Sequence, residues 1–121
     1  DEMTRWLDAE VLESNEGYCK VQMEVRKEMA NGFNIVHGGI SFSLADSAIA
    51  FAANAYGRHA VSLNTTIRYL NPVFVGDTLI AEAEVVNIKH KIVNVDATVT
   101  NQNGEKVADL QATGYRKSEQ W

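Results

Sequence analysis

One acidic residue of this 121-residue chain stands where acidic residues seldom do. Asp46 lies within residues 40–55, ISFSLADSAIAFAANA, flanked by Leu44, Ala45, Ala48 and Ile49. The segment holds no Pro or Gly and has the composition of a buried helix, and Asp46 is too far into it to cap the first turn. A carboxylate on such a helix costs several kcal/mol unless it is paired or hydrogen-bonded. Two readings stand open. In one, Asp46 is held by a core hydroxyl or turned to a wet edge. In the other it is a catalytic carboxylate facing a cleft.

Just before this segment comes His37-Gly38-Gly39. The first-turn N–H groups of a helix lack internal partners and carry partial positive charge. Glycine at 38 lets a ligand oxygen approach such an N–H, which would make an oxyanion hole for an acyl carbonyl. A simple turn is the competing reading of the glycine pair. His37 by itself reads as structural, because nothing in the sequence poises it as a base. Other chemistries are excluded more firmly. Gly38-Gly39-Ile40-Ser41-Phe42 lacks the second flanking glycine of a serine nucleophile elbow. There is no phosphate-binding Walker loop, dinucleotide fingerprint or paired-cysteine metal site. His37, His59 and His90 are too far apart for a recognisable zinc motif, so no metal is assigned.

The elements that must position these residues are mostly strands. Residues 18–26 alternate, with Cys19, Val21, Met23 and Val25 on one face and Lys20, Gln22, Glu24 and Arg26 on the other. After the helix, which should stop near a C-cap at Gly57, residues 61–69 alternate again. There Val61, Leu63, Thr65, Ile67 and Tyr69 oppose Ser62, Asn64, Thr66 and Arg68, up to the breaker Asn71-Pro72. Gly76-Asp77 marks a turn before residues 78–88, and residues 92–100 follow. Asn103-Gly104 then signals a hairpin into residues 107–116. The pattern predicts an α+β fold, a curved antiparallel sheet of five or six strands wrapped around one long central helix. No linker or repeat divides the chain, so residues 1–121 read as a single domain. One helix cannot cover so long a sheet, and part of it is expected to pack on a second subunit.

Composition narrows the partners. Eleven Lys and Arg against sixteen Asp and Glu give a net charge of −5, which argues against nucleic acid as a partner. A local basic patch for a small anion remains compatible with that balance. The lone Cys19 allows no internal disulfide and fits a reduced compartment. The longest apolar run, residues 48–53, is too short to span a bilayer, and the first residues do not form a basic-then-apolar leader. The expectation is a cytoplasmic protein that does not engage membranes. The chain opens on Asp rather than Met, so residues upstream of Asp1 are expected to be missing.

Over residues 11–116 the chain resembles the hotdog-fold acyl-CoA thioesterases of the phenylacetate-degradation (PaaI-like) type. The specific part is Asn31, then His37-Gly38-Gly39, then Asp46, within HGGISFSLADSAIAFAAN. A second match is SLNTTIRYLNP at 62–72, followed by Gly76-Asp77. The resemblance implies a thioester hydrolase acting on an acyl-CoA, aromatic acyl groups among the candidates, with CoA part of the substrate and no cofactor. Asp46 would match the catalytic carboxylate, as base for water or as nucleophile. Gly38 would match the oxyanion donor, Asn31 the residue that positions thioester or water, and His37 the residue that shapes the loop. Gly39 would lie against the substrate. Ser62 would match a hydroxyl that orients water, with Asn64 as its alternative. The phosphates of CoA would fall to Lys89 and Lys91, supported by Arg116 and Lys117, with Arg68 a further candidate. For these cations the competing reading is solvated turn and edge charge. Phe42, Phe51, Tyr56, Tyr69 and Phe74 are candidates for the acyl pocket. Two alternatives accompany this reading: a non-catalytic acyl-CoA-binding or sensing protein, and a hotdog hydratase or dehydratase.

Helix geometry adds a constraint of its own. Gly38 and Asp46 are eight residues apart, roughly 12 Å along one helix. A reacting carbonyl must lie about 3 Å from both donor and carboxylate. One helix cannot satisfy that, whereas two antiparallel helices related by a two-fold axis can. If both residues are catalytic, the protein is at least a homodimer with shared sites. The resemblance extends this to a dimer of dimers.

Overall fold

The computed structural model describes residues 2–31, 35–54 and 58–120. A short helix α1 (Glu2–Leu7) leads into a hairpin of β1 (Glu10–Asn15) and β2 (Tyr18–Glu24). A 3-10 turn at Lys27–Met29 precedes the long helix α2 (Gly38–Asn54). Four strands follow: β3 (Arg58–Tyr69), β4 (Thr78–Lys89), β5 (Ile92–Thr100) and β6 (Lys106–Gln120).

The strands form one six-stranded antiparallel sheet in the order β1-β2-β4-β5-β6-β3. This is the wrapped-helix architecture that the alternation predicts; the order of its strands is not read from alternation. Of the four strands after α2, β4, β5 and β6 are neighbours in sequence order and β3 is not. β3 crosses to the far edge and pairs with β6, while β4 joins β2 on the other side. The alternating faces hold in the central strands: Cys19, Val21, Met23 and Val25 are buried, and so are Val93, Val95, Ala97 and Val99. They meet Leu44, Ala45, Ala48 and Ala52 of α2, which are shut off from solvent. Alanine on that face lets the helix lie close to the sheet, and a buried leucine such as Leu44 adds about 1.5–3 kcal/mol of burial.

α2 begins two residues earlier than its apolar run suggests, at Gly38. The C-cap expected at Gly57, and Tyr56, lie outside the described residues. Glycine is required at the turn of residue 76, where φ is 94° and the Gly76 N–H donates to the Val25 carbonyl. The β5–β6 connection is longer than a two-residue turn. Buried Asn101 organises it, its side-chain oxygen accepting from the N–H groups of Asn103 and Glu105 at 3.0 and 3.1 Å.

Candidate active site

The N-terminal end of α2 is built by hydrogen bonds that the sequence does not reveal. The His37 N–H donates to the Met29 carbonyl at 3.2 Å, and the Val36 N–H to Val73 at 2.9 Å. Asn31 closes the preceding loop, its N–H donating to the Ile35 carbonyl and its Oδ1 accepting from the Ile35 N–H at 3.2 Å. The Gly39 N–H donates to Nδ1 of His37 at 2.9 Å, so the imidazole caps the helix. The Gly38 carbonyl accepts from the Tyr69 hydroxyl at 3.2 Å. The peptide joining the two glycines is therefore held at both ends. His37 occupies the Gly39 donor, and no described residue accepts the Gly38 N–H.

Space is tight at both glycines. A Cβ at 38 would stand 3.0 Å from the Tyr69 ring, and one at 39 would stand 2.9 Å from His37 Nδ1. Beside Gly38 opens a cavity of about 350 Å³, lined by Val36, Ser41, Tyr69 and the turn of Leu70 to Val73. Among the described aromatic residues considered for the acyl pocket, Tyr69 is the one that lines it. Phe51 and Phe74 are largely exposed, and Phe42 packs on the core.

Asp46 is not held by a core hydroxyl. It faces outward on the stripe of α2 that the sheet leaves uncovered, with Ala50 and Phe51. The apolar circumference of α2 is therefore only partly buried by its own chain. No described residue donates a hydrogen bond to the Asp46 carboxylate, and partial desolvation pushes its pKa above the ordinary aspartate value. It opens on a slot of about 130 Å³ between the C-terminal half of α2 and strands β3, β5 and β6.

Ser62 lines the same slot, and a β-bulge is the reason. Thr65 pairs with Ala112 and Ile67 with Leu110, facing α2, but the register slips between Ser62 and Asn64. Upstream of the slip Ser62 pairs with Gly114, on the face of Ala112. One extra residue at Leu63 thus turns Ser62 inward and leaves Asn64 on the outer face, opposite Thr113. Strict alternation had grouped the two together. A bulge of this kind gives no reliable signal in a single sequence.

The basic candidates separate. Lys89 and Lys91 flank His90, whose φ of 58° makes the β4–β5 turn. The Arg116 guanidinium donates to the His90 carbonyl at 3.0 Å, and Lys91 lies over the Tyr115 ring. Lys91 is two residues from Val93, which lines the Asp46 slot, or about 7 Å along the strand. Arg68 is on the outer face in a bidentate pair with Asp109, at 2.9 and 2.6 Å. Among the described residues no His, Cys, Asp and Glu cluster has the makings of a metal site.

In one chain, then, the Gly38 cavity and the Asp46 slot share no lining residue. A site needing both must draw them from different helices. Comparison with known proteins decides the family. Residues 33–108, well over half the chain, match the family model described as the thioesterase superfamily. This chain belongs to the thioesterase superfamily. The acyl-coenzyme A thioesterase PaaI of Escherichia coli strain K12 is 37% identical over 116 residues, 96% of this chain and 83% of that one. The solved structure of the E. coli PaaI protein from the phenylacetic acid degradation operon superposes with a TM-score of 0.96 at 36% identity. That match covers 99% of this chain and 87% of that one. A Streptococcus mutans protein solved bound to acetyl-CoA gives 0.89 at 29% identity, covering 93% and 91%. The thioesterase described here therefore has the PaaI-like hotdog fold, and its sheet and central helix are those of that family.

Proposed function

We propose that this thioesterase hydrolyses an acyl-CoA to the free acid and CoA, at sites each shared between two copies of the chain. The observation that carries the shared site is the separation of the Gly38 cavity from the Asp46 slot. A two-fold axis running antiparallel copies of α2 past one another would bring each Gly38 to the other's Asp46. The exposed stripe of Asp46, Ala50 and Phe51, with Leu63 on the edge strand β3, offers the face for that contact.

The chemistry follows. The thioester carbonyl oxygen accepts from the Gly38 N–H, at the positive end of α2. Asp46 of the other copy takes a proton from water as its oxygen bonds to the carbonyl carbon. Collapse of the tetrahedral intermediate breaks the C–S bond, and the departing CoA thiolate takes up that proton. In the nucleophilic variant, an Asp46 oxygen bonds to the carbonyl carbon and the C–S bond breaks, giving an anhydride and CoA thiolate; water then cleaves the anhydride to the acid and Asp46, and its released proton goes to the thiolate. Ser62 orients the water, Asn31 positions the thioester, and His37 and Gly39 hold the loop. Water and Asp46 supply every electron pair and proton, so the reaction calls for no cofactor.

Lys89 and Lys91 would meet the CoA phosphates, since their turn continues the wall of the slot. Arg68 is the weakest of these cations because Asp109 already neutralises it. No helix among the described residues is long and apolar enough to cross a membrane. We place the protein in the cytoplasm as a single domain and a dimer of dimers, with aromatic acyl groups among its substrates.

The test is thiol release from a panel of aryl- and alkyl-acyl-CoAs, by wild type and Asp46→Asn. The expected result is turnover by wild type and a loss of at least about a hundredfold in kcat for the variant, with acyl-CoA binding retained. Variant turnover within threefold of wild type would overturn the role of Asp46. Binding by wild type without turnover would make the chain an acyl-CoA sensor.

A further inference from the structure

The slot below Asp46 has a composition that its place in the fold does not require. Protein interiors are close-packed, and the contact between a helix and its sheet is ordinarily filled. Here the C-terminal half of α2 presents Ala50 and Ala53, and the facing strands present Ala60, Ala112 and Gly114. A space of about 130 Å³ is left between them. Gly114 has a reason of its own, since a Cβ there would stand 3.1 Å from Val93 and 3.2 Å from the Val61 carbonyl. Ala50 and Ala53 lie four and seven residues beyond Asp46, so all three share one helix face.

Resting on the thioesterase reading of Asp46, we infer that this slot receives the acyl group, which runs from Asp46 toward the C-terminal end of α2, and that Ala50 and Ala53 set the acyl length the enzyme accepts. The walls suit this. Its polar side chains are Asp46 and Ser62; Thr113 borders it from the outer face, with its hydroxyl donating to Asn94, and the other lining residues are Ala, Val, Ile and Gly. An apolar cavity of about 150 Å³ accommodates one benzene molecule. The slot therefore suits a single ring or a chain of about six carbons, and a long fatty acyl chain would project beyond it. Ala53 is only 5% exposed, so its effect is exerted inside its own chain and not through contact between copies.

Substitution of Ala53 by Leu tests this directly. A helical leucine leans back toward the N-terminus of its helix, which at position 53 directs it over Ala50 into the slot. The measurement is kcat/KM by thiol release for acetyl-, hexanoyl- and hexadecanoyl-CoA. Wild type is expected to prefer hexanoyl- over hexadecanoyl-CoA by at least tenfold. In Ala53→Leu the ratio of hexanoyl to acetyl kcat/KM is expected to fall at least tenfold. Ala53→Val, with a smaller side chain, should lower the same ratio at least threefold and serves if Ala53→Leu does not fold. A ratio within twofold of wild type in a folded variant would overturn the inference, as would a wild-type preference for hexadecanoyl-CoA. Running Asp46→Asn on the same panel separates the two failures. Lost turnover there, beside an unchanged ratio in Ala53→Leu, removes the slot assignment and leaves the catalytic assignment standing.

Discussion

Adding one methyl group at Gly38 should disable catalysis while leaving the fold almost unchanged. In Gly38→Ala the new Cβ would stand 3.0 Å from Cε1, 3.1 Å from Cζ and 3.2 Å from the hydroxyl oxygen of Tyr69. Ordinary contact begins near 3.4 Å, so ring or helix must give by a few tenths of an ångström. The ring is the softer partner, being 56% exposed. Its movement sacrifices the 3.2 Å hydrogen bond to the Gly38 carbonyl, worth about 0.5–1.5 kcal/mol. Alanine in place of glycine returns up to about 1 kcal/mol of helix propensity, so the two nearly cancel. Global stability should change by no more than about 1 kcal/mol. The Gly38 carbonyl loses its anchor, however, and with it the residue that bears the oxyanion donor can turn, so that the Gly38 N–H is misaimed. Full loss of such a donor costs about 10²–10³ in kcat, and a misaimed one should cost roughly tenfold or more. The assay is steady-state thiol release with a thermal melt of each variant, repeated in a Tyr69→Ala background. Without the ring, the second substitution should cost less than threefold. An equal kcat loss in both backgrounds would refute the steric account, and so would a Gly38→Ala enzyme within threefold of wild type.

Two further outcomes follow. Desolvation raises the pKa of Asp46, so the acid limb of kcat should have its midpoint above the ordinary carboxylate value of about 3.9. The same shift means that ionised Asp46 opposes folding: its stabilising share is fully present below the unfolded pKa and lost as pH rises through the folded one. Asp46→Asn should therefore melt higher than wild type at neutral pH, the gap closing in acid, and a gap independent of pH would contradict the shift. Replacing Lys89 and Lys91 together by Ala should raise KM for acyl-CoA by up to about fivefold per lysine, since exposed charge contacts are worth about 1 kcal/mol or less. A short thioester lacking the nucleotide should be barely affected, and equal changes for both substrates would show that the phosphates lie elsewhere.

How much the sequence disclosed differs from element to element. β2 and β5 were legible because each buries one face, so period-two alternation is written directly in Cys19 to Val25 and Val93 to Val99. α1 and β1 were not, since α1 has six residues and every residue of β1 is exposed, leaving no apolar face to detect. Alternation tells which face a residue takes but not which strand lies beside it, and for that reason the crossover of β3 to β6 was hidden. Asp46 stood out through its neighbours, yet its outward aim did not, because the apolar stripe of Ala50 and Phe51 reads like core. Ser62 had been grouped with the polar outer face until the bulge at Leu63 turned it inward. The cap of Gly39 by His37 depends on a side-chain torsion that no spacing rule encodes.

The central claim is that one active site takes Gly38 and Asn31 from one chain and Asp46 from another. Asp46→Ala and Asn31→Ala should each be nearly inactive. Denatured and refolded together in equal amounts, they should form mixed dimers in about half of all pairings, each with one intact site and one doubly defective site. Roughly a quarter of the activity of wild type carried through the same cycle should return. No recovery beside a well-recovered wild-type control would contradict the shared site.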